Sequence, residues 1–188
     1  AISKLAHIHF SFAKEYAENL QKVGEDDFRI FYSGNPSLDN IKSTKEISVR
    51  DLSKRLDCPL STNGYVVLIK HPLSSEINRA GEQMKRTLQS LEKFCDKYDF
   101  KVVGIYPNTD PGSYDILAEI DKYERHKSFF FFKNLPNIDF VNLLRNASAL
   151  IGNSSMGLLE APFYKLPVVN VGRRQSGRLN AGNVEFVD

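Results

Sequence analysis

The chain has 188 residues, of which 41% are hydrophobic and 26% charged, a balance typical of a globular protein that buries its own core. Its formal net charge of +2 is too small to indicate a nucleic acid or a membrane surface as a partner, and no apolar run approaches the roughly 20 residues that span a bilayer. The two cysteines lack the spacing of a disulfide framework or a zinc site, so we expect a cytoplasmic protein without a metal ion or cofactor.

Strand-length and helix-length patterns alternate along the chain. Short, nearly continuous apolar segments predict strands at residues 7–12, 29–33, 65–71, 101–106, 128–133, 149–152 and 167–171. Amphipathic segments predict helices at residues 13–23, 49–56, 76–98, 114–123, 139–146 and 158–164, with polar connectors at 41–47 and 59–64. The chain starts without a methionine and ends in a further strand-like run at 183–188, so we expect a fragment of a longer protein.

The character of the strands predicts the fold class. Segments such as VVLIK and PVVNV are rich in β-branched residues and nearly continuous in hydrophobicity, as in parallel strands covered on both faces. Strands alternating with helices predict right-handed βαβ units, and therefore an α/β fold with a doubly wound parallel sheet. Ligands of such sheets bind at the carboxyl ends of the strands, so the polar residues that follow each strand are the candidates for a site.

The segment IGNSSMGLLEAP holds the strongest candidate site. A predicted strand ends at Gly152, small polar residues follow, and a helix is expected to begin near Gly157. Unpaired N–H groups at a helix start, together with the hydroxyls of Ser154 and Ser155, suit a phosphate. Glu160 would repel a phosphate but could accept hydrogen bonds from ribose hydroxyls. The alternative is a helix cap that binds no ligand. In both interpretations Pro162 is awkward in a helix that begins this early.

Three further strand ends carry candidate ligand-binding residues. The segment GRRQSGR includes Arg174, whose guanidinium can bind phosphate oxygens in pairs, although a solvated basic loop is the alternative. His71 follows the strand VVLIK and could act as an acid, a base or a phosphate donor, although a lone histidine is more often structural. Asn108 could donate to a ligand. Its segment YPNTDPG is rich in residues that favour turns, so a turn is the favoured interpretation.

Several motifs of other enzyme classes are missing. The sequence contains no GxGxxG, GxxxxGK[ST], HExxH or GxSxG segment. Hydride transfer, P-loop hydrolysis and zinc or serine proteolysis therefore have no support.

The segment IGNSSMGLLEAPFYKLPVVNVGRRQSGR resembles the signature of the hydrolysing UDP-N-acetylglucosamine 2-epimerases. KLAHIHFSFAKEYAENL, SGNPSLDNI, IKHPLSSEI and YPNTDPGS are similar to further segments of that family in the same order, so the resemblance covers the chain. It implies the GT-B arrangement, in which two Rossmann-like domains face each other across a cleft. Residues 1–24 would be the remnant of the N-terminal domain, and residues 25–188 would form a truncated C-terminal domain that binds the nucleotide sugar.

The resemblance also implies roles for the candidate residues. It places Ser154 and Ser155 on the diphosphate and Glu160 on the ribose. Arg174, Asn108 and Phe140 would line the nucleotide-sugar site, and His71 is the one candidate for a direct part in the chemistry.

The family converts UDP-GlcNAc to N-acetylmannosamine and UDP at the start of sialic acid synthesis. The route is loss of the C2 proton, departure of UDP to leave a glycal, and addition of water. The principal catalytic carboxylates belong to the N-terminal domain, which is the partner that this chain lacks, so we expect weak UDP binding and no turnover. A homo-oligomer is expected for the whole enzyme.

Four different functions stay open from the sequence. One is a non-hydrolysing epimerase that returns UDP-ManNAc, although the segments GNSS and KHPLSS favour the hydrolysing type. The second and third are an epimerase acting on a UDP-linked diacetamido sugar and a GT-B glycosyltransferase. The fourth is a non-catalytic α/β binding or regulatory module. A flavodoxin-like receiver of that class would need an acidic cluster at a strand end, whereas these strand ends carry Ser, Asn, His and Arg.

Overall fold

The computed structural model describes residues 2–188, and the chain divides into two compact units, residues 1–44 and residues 45–188. The division falls between Thr44 and Lys45, in a segment that the sequence marked as a polar connector. The predicted boundary after Gly24 concerns the domains of the whole enzyme and stays a prediction. No helix of residues 2–188 is both long and apolar enough to cross a membrane.

The first unit is built around a short parallel strand pair. Its helices are α1 (Ile2–Leu5), α2 (Lys14–Lys22) and α3 (Pro36–Ser43), and its strands are β1 (His9–Ser11) and β2 (Ile30–Tyr32). The sequence missed α3, although Asn35 caps it by accepting from the Ser37 N–H, and Pro36 occupies the first turn, where a proline is tolerated.

The second unit is a six-stranded parallel sheet with helices on both faces. Its strands are β3 (Tyr65–Ile69), β4 (Lys101–Ile105), β5 (Phe129–Phe132), β6 (Ala149–Gly152), β7 (Val168–Val171) and β8 (Val184–Val187). Its helices are α4 (Val49–Leu56), α5 (Ala80–Tyr98), α6 (Ser113–Asp121), α7 (Asn137–Arg145) and α8 (Met156–Leu159). The strand order β5-β4-β3-β6-β7-β8 is that of a Rossmann fold, which is one of the doubly wound parallel sheets that the strand–helix alternation predicts.

Two apolar clusters lie on opposite faces of this sheet. One joins Val66 and Leu68 of β3 to α5 and α6. The other joins Val67 and Ile69 to α4, α7 and the segment after α8. Because successive strand residues point to opposite faces, the unbroken VVLI run supplies both clusters at once. Each face of the sheet therefore holds a core that burial of Val, Leu and Ile stabilises.

Two predicted helices differ from the observed ones. The helix expected at 76–98 begins at Ala80, preceded by a 3-10 segment at Ser74–Arg79 that is broken at Glu76. The helix expected at 158–164 is two pieces, α8 and a 3-10 turn at Ala161–Tyr164. Pro162 lies in the first turn of the second piece, where its missing N–H costs nothing, so the break accommodates it.

A groove lies on the face of the sheet that α5 covers, beside β6, β7 and β8. Its volume is about 590 Å³, and its floor holds Val66, Ile151 and Val169. Lys70, which directly follows β3, also lines it and is 3% exposed.

Candidate functional site

The carboxyl ends of four adjacent strands gather the candidate residues. The chain leaves β3 toward α5 on one face and leaves β6 toward α8 on the other, although β3 and β6 are neighbours. That divergence is the topological switch point, where α/β sheets form the crevice that binds ligands. His71 and Asn108 follow β3 and β4, whereas Ser154 and Arg174 follow β6 and β7.

The His71 ring is held in one orientation by the neighbouring strand end. The Asn108 backbone N–H donates to His71 Nδ1 at 3.2 Å. Because Nδ1 accepts, the proton of the neutral ring is assigned to Nε2, which is left to donate to a ligand. Burial and the positive Arg174 guanidinium lower the pKa of His71, and the negative charge of Asp110 opposes this effect. The ring is therefore neutral at physiological pH.

The two serines after β6 do not behave as helix caps. Ser155 occupies the N-cap position of α8 without a capping hydrogen bond from its side chain. No hydrogen bond of either serine hydroxyl to another residue of the described chain is found, and both serines are half-buried. Neither serine side chain therefore caps α8, and the two hydroxyls are available to a ligand.

Gly152 brings this loop close to β3. Its φ is +133°, and a Cβ at this position would lie 2.0 Å from the Ile69 carbonyl oxygen. Any side chain would thus push β6 away from β3 just where the loop begins. The glycine lets the Asn153 N–H donate to the Ile69 carbonyl at 3.1 Å and so fixes the start of the serine loop.

Arg174 is half-buried in a 3-10 turn, Arg173–Gln175, that follows β7. One of its terminal nitrogens donates to the Asn153 carbonyl at 3.1 Å. This contact ties the arginine to the serine loop and leaves other guanidinium N–H groups for an anion. Arg173 is exposed and lines the groove on the α5 face, so Arg174 is the better placed of the two.

No hydrogen bond or ion pair within residues 2–188 joins the side chain of Glu160 or Phe140 to the other candidates. Glu160 directly follows α8 and is half-buried, with a carboxylate that takes part in no ion pair of the described chain. Phe140 lies on α7 and packs against the core that contains Leu143 and Leu144. The roles predicted for these two residues therefore stay proposals.

Comparison with known proteins decides the family. A family model described as UDP-N-acetylglucosamine 2-epimerase matches residues 1–188, the whole chain. The chain belongs to this family. A hydrolysing UDP-N,N'-diacetylbacillosamine 2-epimerase of Legionella pneumophila is 34% identical over 188 residues, which cover 100% of this chain and 48% of that protein. A UDP-N-acetylglucosamine 2-epimerase of Neisseria meningitidis is 33% identical over 178 residues, which cover 95% of this chain and 45% of that protein.

The chain spans about half the length of the curated relatives that it matches. Solved structures share its fold at low identity. The S. aureus MnaA–UDP co-structure has a TM-score of 0.69 and 20% identity, covering 98% of this chain and 48% of that one. The Methanocaldococcus jannaschii UDP-GlcNAc 2-epimerase in complex with UDP-GlcNAc and UDP also has a TM-score of 0.69, at 17% identity, covering 98% and 51%. The predicted Rossmann-like, GT-B-type fold is confirmed.

Sequence reasoning missed two buried polar residues of this candidate site, Asn153 and Gln175. Asn153 is 4% exposed and Gln175 is 1% exposed, and each bonds to groups from other strand ends. Asn153 lies in the GNSS segment, but a sequence does not show which distant backbone groups an amide will meet. Its position directly after the Gly152 strand end was the available signal.

Proposed function

We propose that the full-length protein is a hydrolysing UDP-N-acetylglucosamine 2-epimerase and that this chain supplies its UDP-binding half. The arrangement of His71, Arg174 and the two free serine hydroxyls around the switch point carries the proposal. These groups offer positive charge and hydrogen-bond donors in one crevice, which suits a diphosphate. Membership of the family and the hydrolysing relatives support the reaction type.

The proposed reaction breaks the bond between C1 of the sugar and the diphosphate oxygen. A base outside this chain removes the C2 proton, and the electron pair forms a C1–C2 double bond as UDP leaves. Water then supplies the C1 hydroxyl and C2 takes a proton on the opposite face, giving N-acetylmannosamine. The product would enter sialic acid synthesis.

This chain's part in that reaction is to stabilise the departing diphosphate. Negative charge grows on the leaving oxygen as the bond breaks, so donors aimed at it lower the barrier. His71 can donate its Nε2 proton there, while Arg174 and the hydroxyls of Ser154 and Ser155 hold the other phosphate oxygens. Glu160 would hold the ribose, and Asn108 and Phe140 would complete the site around the nucleotide sugar.

A hydrolysing epimerase of a UDP-linked diacetamido sugar is the second candidate. Two relatives are named for such a sugar: a GDP/UDP-N,N'-diacetylbacillosamine 2-epimerase of Campylobacter jejuni and a UDP-N,N'-diacetylbacillosamine 2-epimerase of Legionella pneumophila. They are 31% and 34% identical to this chain, close to the 33% of the Neisseria meningitidis enzyme. Identity therefore does not separate the two sugars. Product analysis of the full-length protein with both substrates would separate them. It would also detect UDP-ManNAc, the product of a non-hydrolysing epimerase, and transfer of the sugar to an acceptor, the reaction of a glycosyltransferase.

Titration of the 188-residue chain with UDP, followed by calorimetry, tests the proposed half-site, with GDP as the control nucleotide. We expect UDP-selective binding that Glu160→Ala weakens by about tenfold, the effect of losing a hydrogen bond to a charged group. Glu185→Ala, at an exposed position on β8, is the matched control and should leave the affinity unchanged. Equal binding of UDP and GDP would contradict the proposal.

A further inference from the structure

Asn153 joins the ends of β3 and β6 through its side-chain amide. Its Oδ1 accepts from the His71 backbone N–H at 2.7 Å, and its Nδ2 donates to the His71 carbonyl at 2.8 Å. One amide thus satisfies both polar backbone groups of His71. The side chain lies in the interior, with the residue 4% exposed, so water does not compete for these bonds.

The backbone of Asn153 holds the end of β7 as well. Its carbonyl accepts from Arg174 at 3.1 Å and from Gln175 Nε2 at 2.8 Å. Gln175 is itself fixed, because its Oε1 accepts from Arg178 at 3.1 Å. Three strand ends therefore meet at one residue that directly precedes Ser154.

We propose that Asn153 is the positioning residue of the diphosphate site. It holds His71, Arg174 and the serine loop in fixed positions relative to one another. The proposal rests on the proposed function for the identity of the ligand. Asn153 itself does not contact the ligand, because its polar groups are used on the protein. Its effect reaches the reaction through His71 and Arg174.

The amide of asparagine is the group that suits this position. It presents an acceptor and a donor side by side, matched to the N–H and the carbonyl of one residue. An alanine would leave those two backbone groups without partners in a buried place. An aspartate would keep the acceptor but set a carboxylate oxygen against the His71 carbonyl, and it would add negative charge beside the phosphate site.

The first readout is the state of the His71 ring, measured by ¹⁵N NMR in the 188-residue chain without any ligand. In Asn153→Ala we expect a mixture of tautomers, because the β3 end loosens and the bond from the Asn108 N–H to Nδ1 weakens. The pKa of His71 should rise toward its ordinary value as the ring gains water, with Arg174 and Asp110 remaining the charges that face it. Asn153→Asp, which is nearly isosteric, should shift both properties in the same direction.

Asn142→Ala is the matched control for loss of stability. Asn142 is fully buried on α7, where its amide bonds to the Ile47 N–H and to the Lys45 and Ile138 carbonyls. Its removal should lower the melting temperature about as much as Asn153→Ala does, yet leave the His71 ring unchanged. An unaltered tautomer and pKa in both Asn153 variants would overturn the proposal, and so would equal changes in the Asn142 variant.

The second readout is UDP affinity, which we expect Asn153→Ala to reduce by about tenfold, the loss from one misplaced charged donor. If the wild-type chain does not bind UDP while the His71 ring responds as described, the proposed function of the isolated half fails and the positioning role stands. If UDP binds but Asn153→Ala leaves both the affinity and the ring unaltered, the positioning role fails and the proposed function stands.

Discussion

At the scale of single residues, His71 is held at both its ring and its backbone by different strand ends. The Asn108 N–H fixes the ring, and the Asn153 amide fixes the backbone on either side. His71 Nδ1 accepts the hydrogen bond from the Asn108 N–H. A proton on Nδ1 would place two donors against each other, so this contact favours the neutral ring. The pKa of His71 is lowered in agreement with this preference, and burial is the largest cause.

The lowered pKa of His71 predicts how stability depends on pH. The unfolded chain takes up the proton first as the pH falls, so the contribution of His71 is complete above its ordinary value of 6.5 and is lost below it. The free energy of unfolding should therefore fall more steeply below that pH in the wild-type chain than in His71→Gln. Urea unfolding from pH 5 to 8 measures this, with His7→Gln, an exposed histidine, as control. Parallel curves for His71→Gln and the wild type would refute it.

At the scale of elements, the end of β3 serves two faces of the sheet. Lys70 and His71 are consecutive, and consecutive residues of an extended strand point to opposite sides. His71 lies at the proposed diphosphate site, where its ring accepts from the Asn108 N–H, whereas Lys70 lines the groove on the α5 face. Burial lowers the pKa of Lys70 to about 8, with Glu76 as the charge that opposes the effect.

The buried ammonium of Lys70 should be a source of instability. Lys70→Met keeps the length of the side chain and removes the charge, so we expect a gain of about 1–3 kcal/mol at pH 7. The difference should shrink as the pH rises above about 8, because the folded wild type then loses its proton while the unfolded chain keeps one. Denaturant unfolding of both chains checks this, beside Lys85→Met at an exposed position on α5. A loss of stability in Lys70→Met would show that the groove solvates the ammonium well.

At the scale of the whole molecule, the candidate site is proposed to supply one side of a reaction centre. It offers donors for a leaving diphosphate, but the resemblance to the epimerase family places the principal catalytic carboxylates in the N-terminal half of the enzyme, outside these 188 residues. Deprotonation at C2 needs a base within hydrogen-bond reach of that carbon. Diphosphate binding and proton abstraction are therefore expected on separate halves.

The 188-residue chain should therefore bind UDP and leave UDP-GlcNAc intact. Release of UDP and of free sugar can be followed by chromatography, with the full-length protein, which is proposed to catalyse the reaction, as the positive control. Release of N-acetylmannosamine by the isolated chain would be evidence against this division of labour. The predicted homo-oligomer and cytoplasmic location of the whole enzyme stay predictions.

The sequence by itself determined the α/β class, the positions of the strands and the residues at the strand ends. Periodicity is local, and runs such as VVLI or PVVNV identify buried parallel strands without knowledge of their neighbours. Strand order and the meeting of Asn153 with His71, 82 residues apart, were decided by the tertiary structure. Such contacts depend on which strands pair, and pairing comes from packing across the whole sheet. The break between α8 and the following turn was likewise settled in three dimensions, because Pro162 permits either a kink or a new helical turn.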